Sequence, residues 1–462
     1  MGIIDDIVVH TLETNFQRLP CFVVEQVKKS ILDTIAVTIA GSSTDLTESL
    51  VNLVKSWGGR EESSLLVFGG RIPASTAAMV NATLARARDL DDVHESAPMH
   101  VGAAVIPGGF AFAEYSKRIL GKEITGKDFI TAVTLGADFL CRLRLAGPGA
   151  ANEGGWASET PVPLAVAMTG AKMFGCSYKK MLDCLGIAYA QCSGNIQAHT
   201  EGALTVRLQE GFATMSGVLS VMLAQEGFTG AKDSLEGKFG YYNLYMKGEY
   251  RPDVFREGLG TRYEISNVSV KPYPCCKYTH TAIFGALRLA EDNRVDWKTV
   301  KRVTIVIDKH GSNLCGGERK RTPQSVPEAQ FSYYYTVASA LVKGRVFIDN
   351  FTEEAIRDED VLSMAKKIEL CIDSDRDGTK EALCPVDISI ETENGCRYSL
   401  NVATVKGHPD NPMSFDDVIK KLWECTAFSA RPLAKGKIHQ MIQSVRYMEE
   451  IDDVSIVPEC IT

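Results

Sequence analysis

The run "RYEISNVSVKPYPCC", Arg262–Cys276, is where the chain changes texture, and the fold class turns on it. Upstream, apolar residues recur every three or four positions, the period of a helix with one buried face. Downstream, short β-branched runs alternate polar and apolar residues, the period of a strand. The break predicts a large all-α domain over residues 1–265 and a smaller α+β domain over 266–411, with helices over about 412–462 returning to the first.

On the upstream side, "FVVEQVKKSILDTIAVTIAG" (22–41) places Val23, Val27, Ile31, Ile35 and Ile39 on one helical face and stops at a glycine, read as a C-terminal cap. "DFITAVTLGADFLCRL" (128–143) and "YKKMLDCLGIAYAQCSG" (178–194) repeat the pattern, with "AGPGAANEGG" (146–155) as a breaker between them. On the downstream side, "VKRVTIVID" (300–308) reads as a strand. "VDISIETENGCRYSLNVATV" (386–405) reads as a hairpin around Glu393-Asn394-Gly395. A helix is expected at "EAQFSYYYTVASALVKG" (328–344), and two more at "SFDDVIKKLWECTAFS" (414–429) and "GKIHQMIQSVRYMEEI" (436–451).

The 462 residues are 45% hydrophobic and 23% charged, enough to bury a large core. A net charge of -8 argues against nucleic-acid and anionic-membrane partners. The first ten residues lack a basic segment and a cleavage site, and no uncharged run approaches the ~20 residues of a membrane span. Thirteen scattered cysteines fit reduced thiols, so a cytoplasmic protein is expected. "DSDRDG" (373–378) opens like a calcium loop, but the twelfth position is Cys384 rather than glutamate and "PVDISIE" follows as a strand, so it reads as a charged turn. Zinc, phosphate-loop, dinucleotide and nucleophile-elbow patterns are missing from the sequence, and no cofactor is expected.

Two stretches carry chemistry. "RARDLDDVHESAPMH" (86–100) packs three aspartates and two histidines between Asp89 and His100. The stripe Ala77, Val80, Leu84 and Ala87 continues to Asp91, so helical phase points Asp91 inward and Asp89 away. A solvated helix end is one reading. The other is an acid/base site, because His100 leads straight into the apolar "HVGAAVIPGGFAFAEY" and a histidine near carboxylates exchanges protons at neutral pH. In "SVKPYPCCKYTH" (269–280), Pro272 and Pro274 stiffen the chain beside Lys271, while Lys277 and His280 add donors. A hinge with a surface lysine is the alternative there. Tyr333, Tyr334 and Tyr335 open a helical run in which core packing competes with a catalytic role.

Taken in order, "DLDD", "HVGAAVIP", "LQEGFATMSGVLSVMLAQEGFTG" (208–230), "KPYPCCKYTH" and "AQFSYYYTVASAL" resemble the MmgE/PrpD family, which includes 2-methylcitrate dehydratase, cis-aconitate decarboxylase and iminodisuccinate epimerase. The resemblance implies a helical domain with an α+β lid domain, a homodimer, and catalysis without metal or organic cofactor. It puts the catalytic aspartate at Asp89, against the helical phase, the histidine at His100, the lysine at Lys271 and the tyrosine at Tyr335. Trp156, Arg207, His280 and Asp92 become the substrate-binding set. Trp156 in "GGWASET" and Val206 in "TVRLQ" stand where the decarboxylase and dehydratase patterns carry histidine and lysine. Arg207 is adjacent and can grip a carboxylate but not exchange protons.

The shared chemistry of the family is proton transfer at a carbon beside a carboxylate. The expected function is therefore a cofactor-independent lyase on a small di- or tricarboxylate. In that scheme Lys271 and Arg207 hold the anion, and His100, oriented by Asp89, moves the proton. Tyr335 donates to an oxygen or returns a proton. An isomerase or epimerase using the same residues, and a non-catalytic carboxylate-binding paralogue, are the alternatives.

Overall fold

The computed structural model describes all residues except 1, 46, 98, 149–153 and 377–384, and of His199 and Thr200 only the backbone. The protein is mainly α and divides into two compact units. The first comprises Met1–Ala87, Asp91–Val268 and Ser414–Thr462. The second comprises Ser269–Met413 together with the three-residue segment Arg88–Leu90.

The first unit is a stack of long helices, among them Cys21–Gly41, Ala74–Arg86, Val101–Ile119, Gly126–Ala146, Val162–Met173 and Thr205–Gln225. The periodic apolar positions of 22–41 form its core, with Val23, Val27, Ile31 and Ile39 wholly buried. Gly41 does not cap that helix in the left-handed conformation, since the following Ser42 is still right-handed. The glycine is there because the Leu84 carbonyl oxygen would lie 1.9 Å from any Cβ at that position. It permits a close helix crossing rather than a stop. The Phe415–Thr426 helix is capped by Ser414, whose hydroxyl accepts the Asp417 N–H. Lys421 on this helix reaches Asp33 of the Cys21–Gly41 helix at 2.6 Å, both side chains being buried. Among the described residues no helix is long and apolar enough to cross a membrane.

The second unit is built on a four-stranded sheet: β1 (Val300–Ile307), β2 (Ile368–Ile372), β3 (Val386–Thr392) and β4 (Arg397–Val402), in the order β2-β1-β3-β4. β1 and β2 run parallel, with Ile305 opposite Leu370; β1 and β3 are antiparallel, with Ile305 opposite Ile388. β3 and β4 form the hairpin, Ile388 facing Leu400 across it. Val386, Ile388 and Ile390 point to one buried face, which the His280–Asp292 and Tyr333–Lys343 helices share as their core. Of the calcium-like run, Asp373–Arg376 forms a charged turn in which Arg376 binds Asp373 at 3.1 Å and also Asp387. Cys384 lies outside the described residues, as do residues 149–153 of the 146–155 run.

Candidate functional site

The Ala74–Arg86 helix ends where the aspartate run begins, and each unit takes its own share of that run. Asp89 belongs to the second unit and adopts a left-handed backbone, φ +53°. Aspartate is among the few residues with a side chain that tolerate this conformation. Asp91 and Asp92 belong to the first unit.

In the first unit, His100 sits at the N-terminus of the Val101–Ile119 helix. Its Nδ1 is 2.8 Å from Asp91 Oδ2 and 2.9 Å from the Asp92 carbonyl oxygen. Both neighbours accept hydrogen bonds, so Nδ1 carries the proton and the basic lone pair is on Nε2. Asp91 is buried, and Arg86, also buried, approaches its Oδ1 at 3.3 Å. The orienting carboxylate of His100 is therefore Asp91, the residue that helical phase pointed inward, and not Asp89.

Asp92 is the strut of this arrangement. Its Oδ1 accepts the Gly102 N–H at 2.9 Å and its Oδ2 the Ser30 hydroxyl at 3.0 Å. A Cβ at Gly102 would stand 2.5 Å from Thr34 Oγ1 and 2.8 Å from Asp92 Oδ2, so only glycine lets the helix end come this near the carboxylate. Burial, reinforced by Asp33 and Asp91, pushes the Asp92 carboxyl up to about 7. Its two oxygens are taken up by the fold, unlike the substrate contact expected of it. The other histidine of the run, His94, accepts the Ser96 and Ala97 N–H groups at Nδ1 and faces Glu264 at Nε2, 3.3 Å away, a structural role.

Trp156 and Arg207 also lie in the first unit. Trp156 pairs with Asn195 in an isolated β-bridge and meets the Tyr245 ring edge-on, with centroids 4.7 Å apart. The Asn195 N–H is bound by Gln209 Oε1 at 2.8 Å, which ties the Trp156 loop to the Thr205–Gln225 helix. Val206, Arg207, Gln209 and Glu210 are all buried on that helix. Sequence reasoning passed over Glu159 and Glu210, both wholly buried and each with Oε1 lacking a hydrogen-bond partner among the described residues. The signal was present for Glu210: it shares the helix face of Val206, Ala213 and Gly217, an acid in an apolar stripe.

In the second unit, Lys271 is buried and its Nζ donates to the Asp89 carbonyl at 3.0 Å and to Asp89 Oδ1 at 3.1 Å. Two of its three N–H groups are thus used on Asp89. Gln330 secures the same segment, donating to the carbonyls of Arg88 at 2.8 Å and Pro274 at 2.9 Å. Lys277 is buried as well, bound to the Ser269 hydroxyl at 3.0 Å. His280 donates from Nε2 to the Cys275 carbonyl at 3.1 Å, leaving a buried Nδ1 lone pair without a partner among the described residues. Burial, and then the charges of Lys277 and Lys271, hold this imidazole well below its usual pKa, so it is neutral. Burial raises the Cys275 thiol, which keeps it from being a nucleophile.

Tyr335 is also in the second unit, but its hydroxyl donates to the Asn350 carbonyl at 2.5 Å and its ring packs against Phe351. Burial pushes it up to about 12. The proton expected to serve an oxygen of the substrate is engaged inside the core. Among the described residues no group of three or more His, Cys, Asp or Glu is placed to hold a metal ion.

These two clusters can be set beside known proteins. The cis-aconitate decarboxylase-like protein oryM of Aspergillus oryzae is 27% identical over 453 residues, 95% of this chain and 92% of that one. A cis-aconitate decarboxylase of Aspergillus terreus is 27% identical over 418 residues, 87% and 85% of the two chains. The MmgE/PrpD N-terminal domain model matches residues 5–253 and the C-terminal domain model residues 273–446. The chain belongs to the MmgE/PrpD family.

Proposed function

We propose that the protein is a lyase that removes water or CO2 from a small polycarboxylate, using only its own side chains. The observation that carries this reading is the His100–Asp91 pair: a histidine fixed in the Nδ1–H tautomer by a buried carboxylate, with Nε2 as the proton-accepting atom. That is the equipment for moving a proton at a carbon beside a carboxylate. Lys271 supplies the complementary charge, with one N–H beyond those bound to Asp89. A buried ammonium stabilises the enolate-like charge that develops as the C–H or C–C bond breaks. The decarboxylase relatives, similar over most of their length, support elimination of a small neutral molecule as the reaction type.

The reading also takes the chain to pair with a second copy. The Thr205–Gln225 helix shows an outward stripe of Leu208, Phe212, Leu219 and Met222, in which Phe212 is 44% and Leu219 37% exposed, with Met215 between them leaning onto the core around Val80 and Leu84. Spacing of three and four residues makes this a continuous apolar ridge, a surface that association covers.

The test is incubation with cis-aconitate and other di- and tricarboxylates in D2O. The lyase reading expects C–H exchange and a product lighter by water or CO2. Exchange without loss of mass would indicate an isomerase or epimerase, which the replacement of a proton donor by Trp156 favours. No exchange with any candidate would leave a binding protein. His100→Ala and Lys271→Ala should each abolish turnover with the fold intact; near-full rates in both would refute the assignment.

A further inference from the structure

The first unit holds a second acid group that the proposed reaction has not yet used. Two segments converge at Asn195. The loop 155–160 reaches it through the Trp156–Asn195 bridge, with Ile196 N–H on the Gly155 carbonyl at 3.1 Å. The Thr205–Gln225 helix reaches it through Gln209 Oε1 on the Asn195 N–H. At the junction Gly194 has φ +130°, and a Cβ there would touch Ala157 Cβ at 3.3 Å, Gln209 Oε1 at 3.4 Å and Thr160 Oγ1 at 3.7 Å. This junction fastens the loop of Glu159 to the helix turn of Glu210. Glu159 Oε2 accepts the Ser158 hydroxyl at 3.1 Å, but among the described residues Oε1 of each glutamate, and Nε2 of the buried Gln209, has no hydrogen-bond partner. Two buried carboxylates in each other's field cannot both be ionised cheaply.

We infer that Glu159 and Glu210 form a one-proton carboxyl pair, the acid of this unit to which His100 is the base. The inference rests on the proton-transfer reading above and deepens it. Burial and then the Glu159 charge raise Glu210 well above the usual carboxylate range, with Asp91 and Asp92 adding to the effect and Arg86 opposing it. These charges, from the Ala74–Arg86 helix, the aspartate run and the Glu159 loop, are the ones whose fields act on it most strongly. In a dehydration, His100 Nε2 takes the C–H proton, the C–H electron pair becomes the double bond as the C–O bond breaks, and the pair's proton leaves with the hydroxyl as water. In a decarboxylation, the C–C electron pair stays on carbon as neutral CO2 departs, and the pair's proton quenches that carbon. The pair, then doubly ionised, recovers its proton from solvent, and after dehydration His100 gives the abstracted proton back to solvent.

Infrared difference spectroscopy at neutral pH, wild type minus Glu210→Gln, reads the carbonyl stretch of a protonated carboxyl without reference to any substrate. One such carboxyl should disappear in the variant, and the band should shift in D2O. An undiminished band overturns the pair. Glu210→Gln should slow turnover by about 10²–10⁴-fold, the usual worth of a positioned acid. Glu159→Gln, which removes the neighbouring charge but keeps Glu210, should move the alkaline limb of kcat/KM to lower pH; a purely structural pair would leave that limb in place. Loss of the band with turnover within about threefold of wild type overturns the acid role while leaving His100 as the base. Undiminished turnover in His100→Ala would refute the proposed function itself, which the infrared result does not depend on.

Discussion

Replacing Lys271 by methionine keeps the length of the side chain and removes its charge. The ammonium makes two hydrogen bonds, at 3.0 and 3.1 Å, and lies with Asp89 in a region closed to solvent. Hydrogen bonds involving a charged group are worth about 1.5–3 kcal/mol each, and breaking a buried ion pair by removing one partner costs about 3–5 kcal/mol, because the survivor is left charged and unpaired. Lys271→Met should therefore destabilise the second unit by about 3–5 kcal/mol. Asp89→Asn in the same protein neutralises the stranded carboxylate, and asparagine accepts the left-handed backbone. The double variant should recover a coupling of at least about 1–2 kcal/mol relative to the sum of the singles. Native-state hydrogen exchange followed by mass spectrometry over 269–413 measures this without assuming that both units unfold together. Turnover should be lost in both Lys271 variants, so stability returns in the double variant and activity does not. Strict additivity of the two substitutions, or a cost below about 1 kcal/mol for Lys271→Met, would refute the buried pair.

Asp91→Asn should lower kcat by about 10²-fold or more with KM little changed, since it disturbs the tautomer of His100 rather than binding; Asp89→Asn should act through Lys271 and lower the stability of the second unit as well, and comparing the two separates their duties. The Asp92 carboxyl, raised to about 7 from 3.8, contributes stability that is complete below pH 3.8 and is lost as pH rises towards 7. Asp92→Asn should flatten that fall by at most about 4 kcal/mol, as read from urea midpoints across pH, and an unchanged profile would show that Asp92 ionises freely. Phe212→Glu or Leu219→Glu on the outward stripe should yield monomers by light scattering; a variant that sediments like the wild type would remove that ridge from the interface.

Periodicity was enough for element type: the apolar spacing of 22–41 and the alternation of 386–392 are properties of local sequence, and both elements form. The site was only partly legible. His100 and Lys271 stood out because a histidine entering an apolar helix and a lysine held by prolines are locally unusual. Their partners were not, since Asp91 and Asp89 differ by two positions and a helix ending at Arg86 erases the phase beyond it. Periodicity favoured Asp91 and family resemblance favoured Asp89; His100 takes the first and Lys271 the second. Tyr335 shows the opposite failure, a residue whose chemistry suited the reaction but whose hydroxyl is held by Asn350. Glu159 and Glu210 are 51 residues apart in sequence, and no local pattern could pair them before Asn195 joined their segments.

The run Asp89-Leu90-Asp91 works as a hyphen whose length is as constrained as its letters. Taking out or adding one residue there would leave every carboxylate in the protein and still deliver them to the wrong addressees. Length polymorphism at this point should therefore be far more damaging than any single side-chain exchange within it, although the segment is neither helix nor strand.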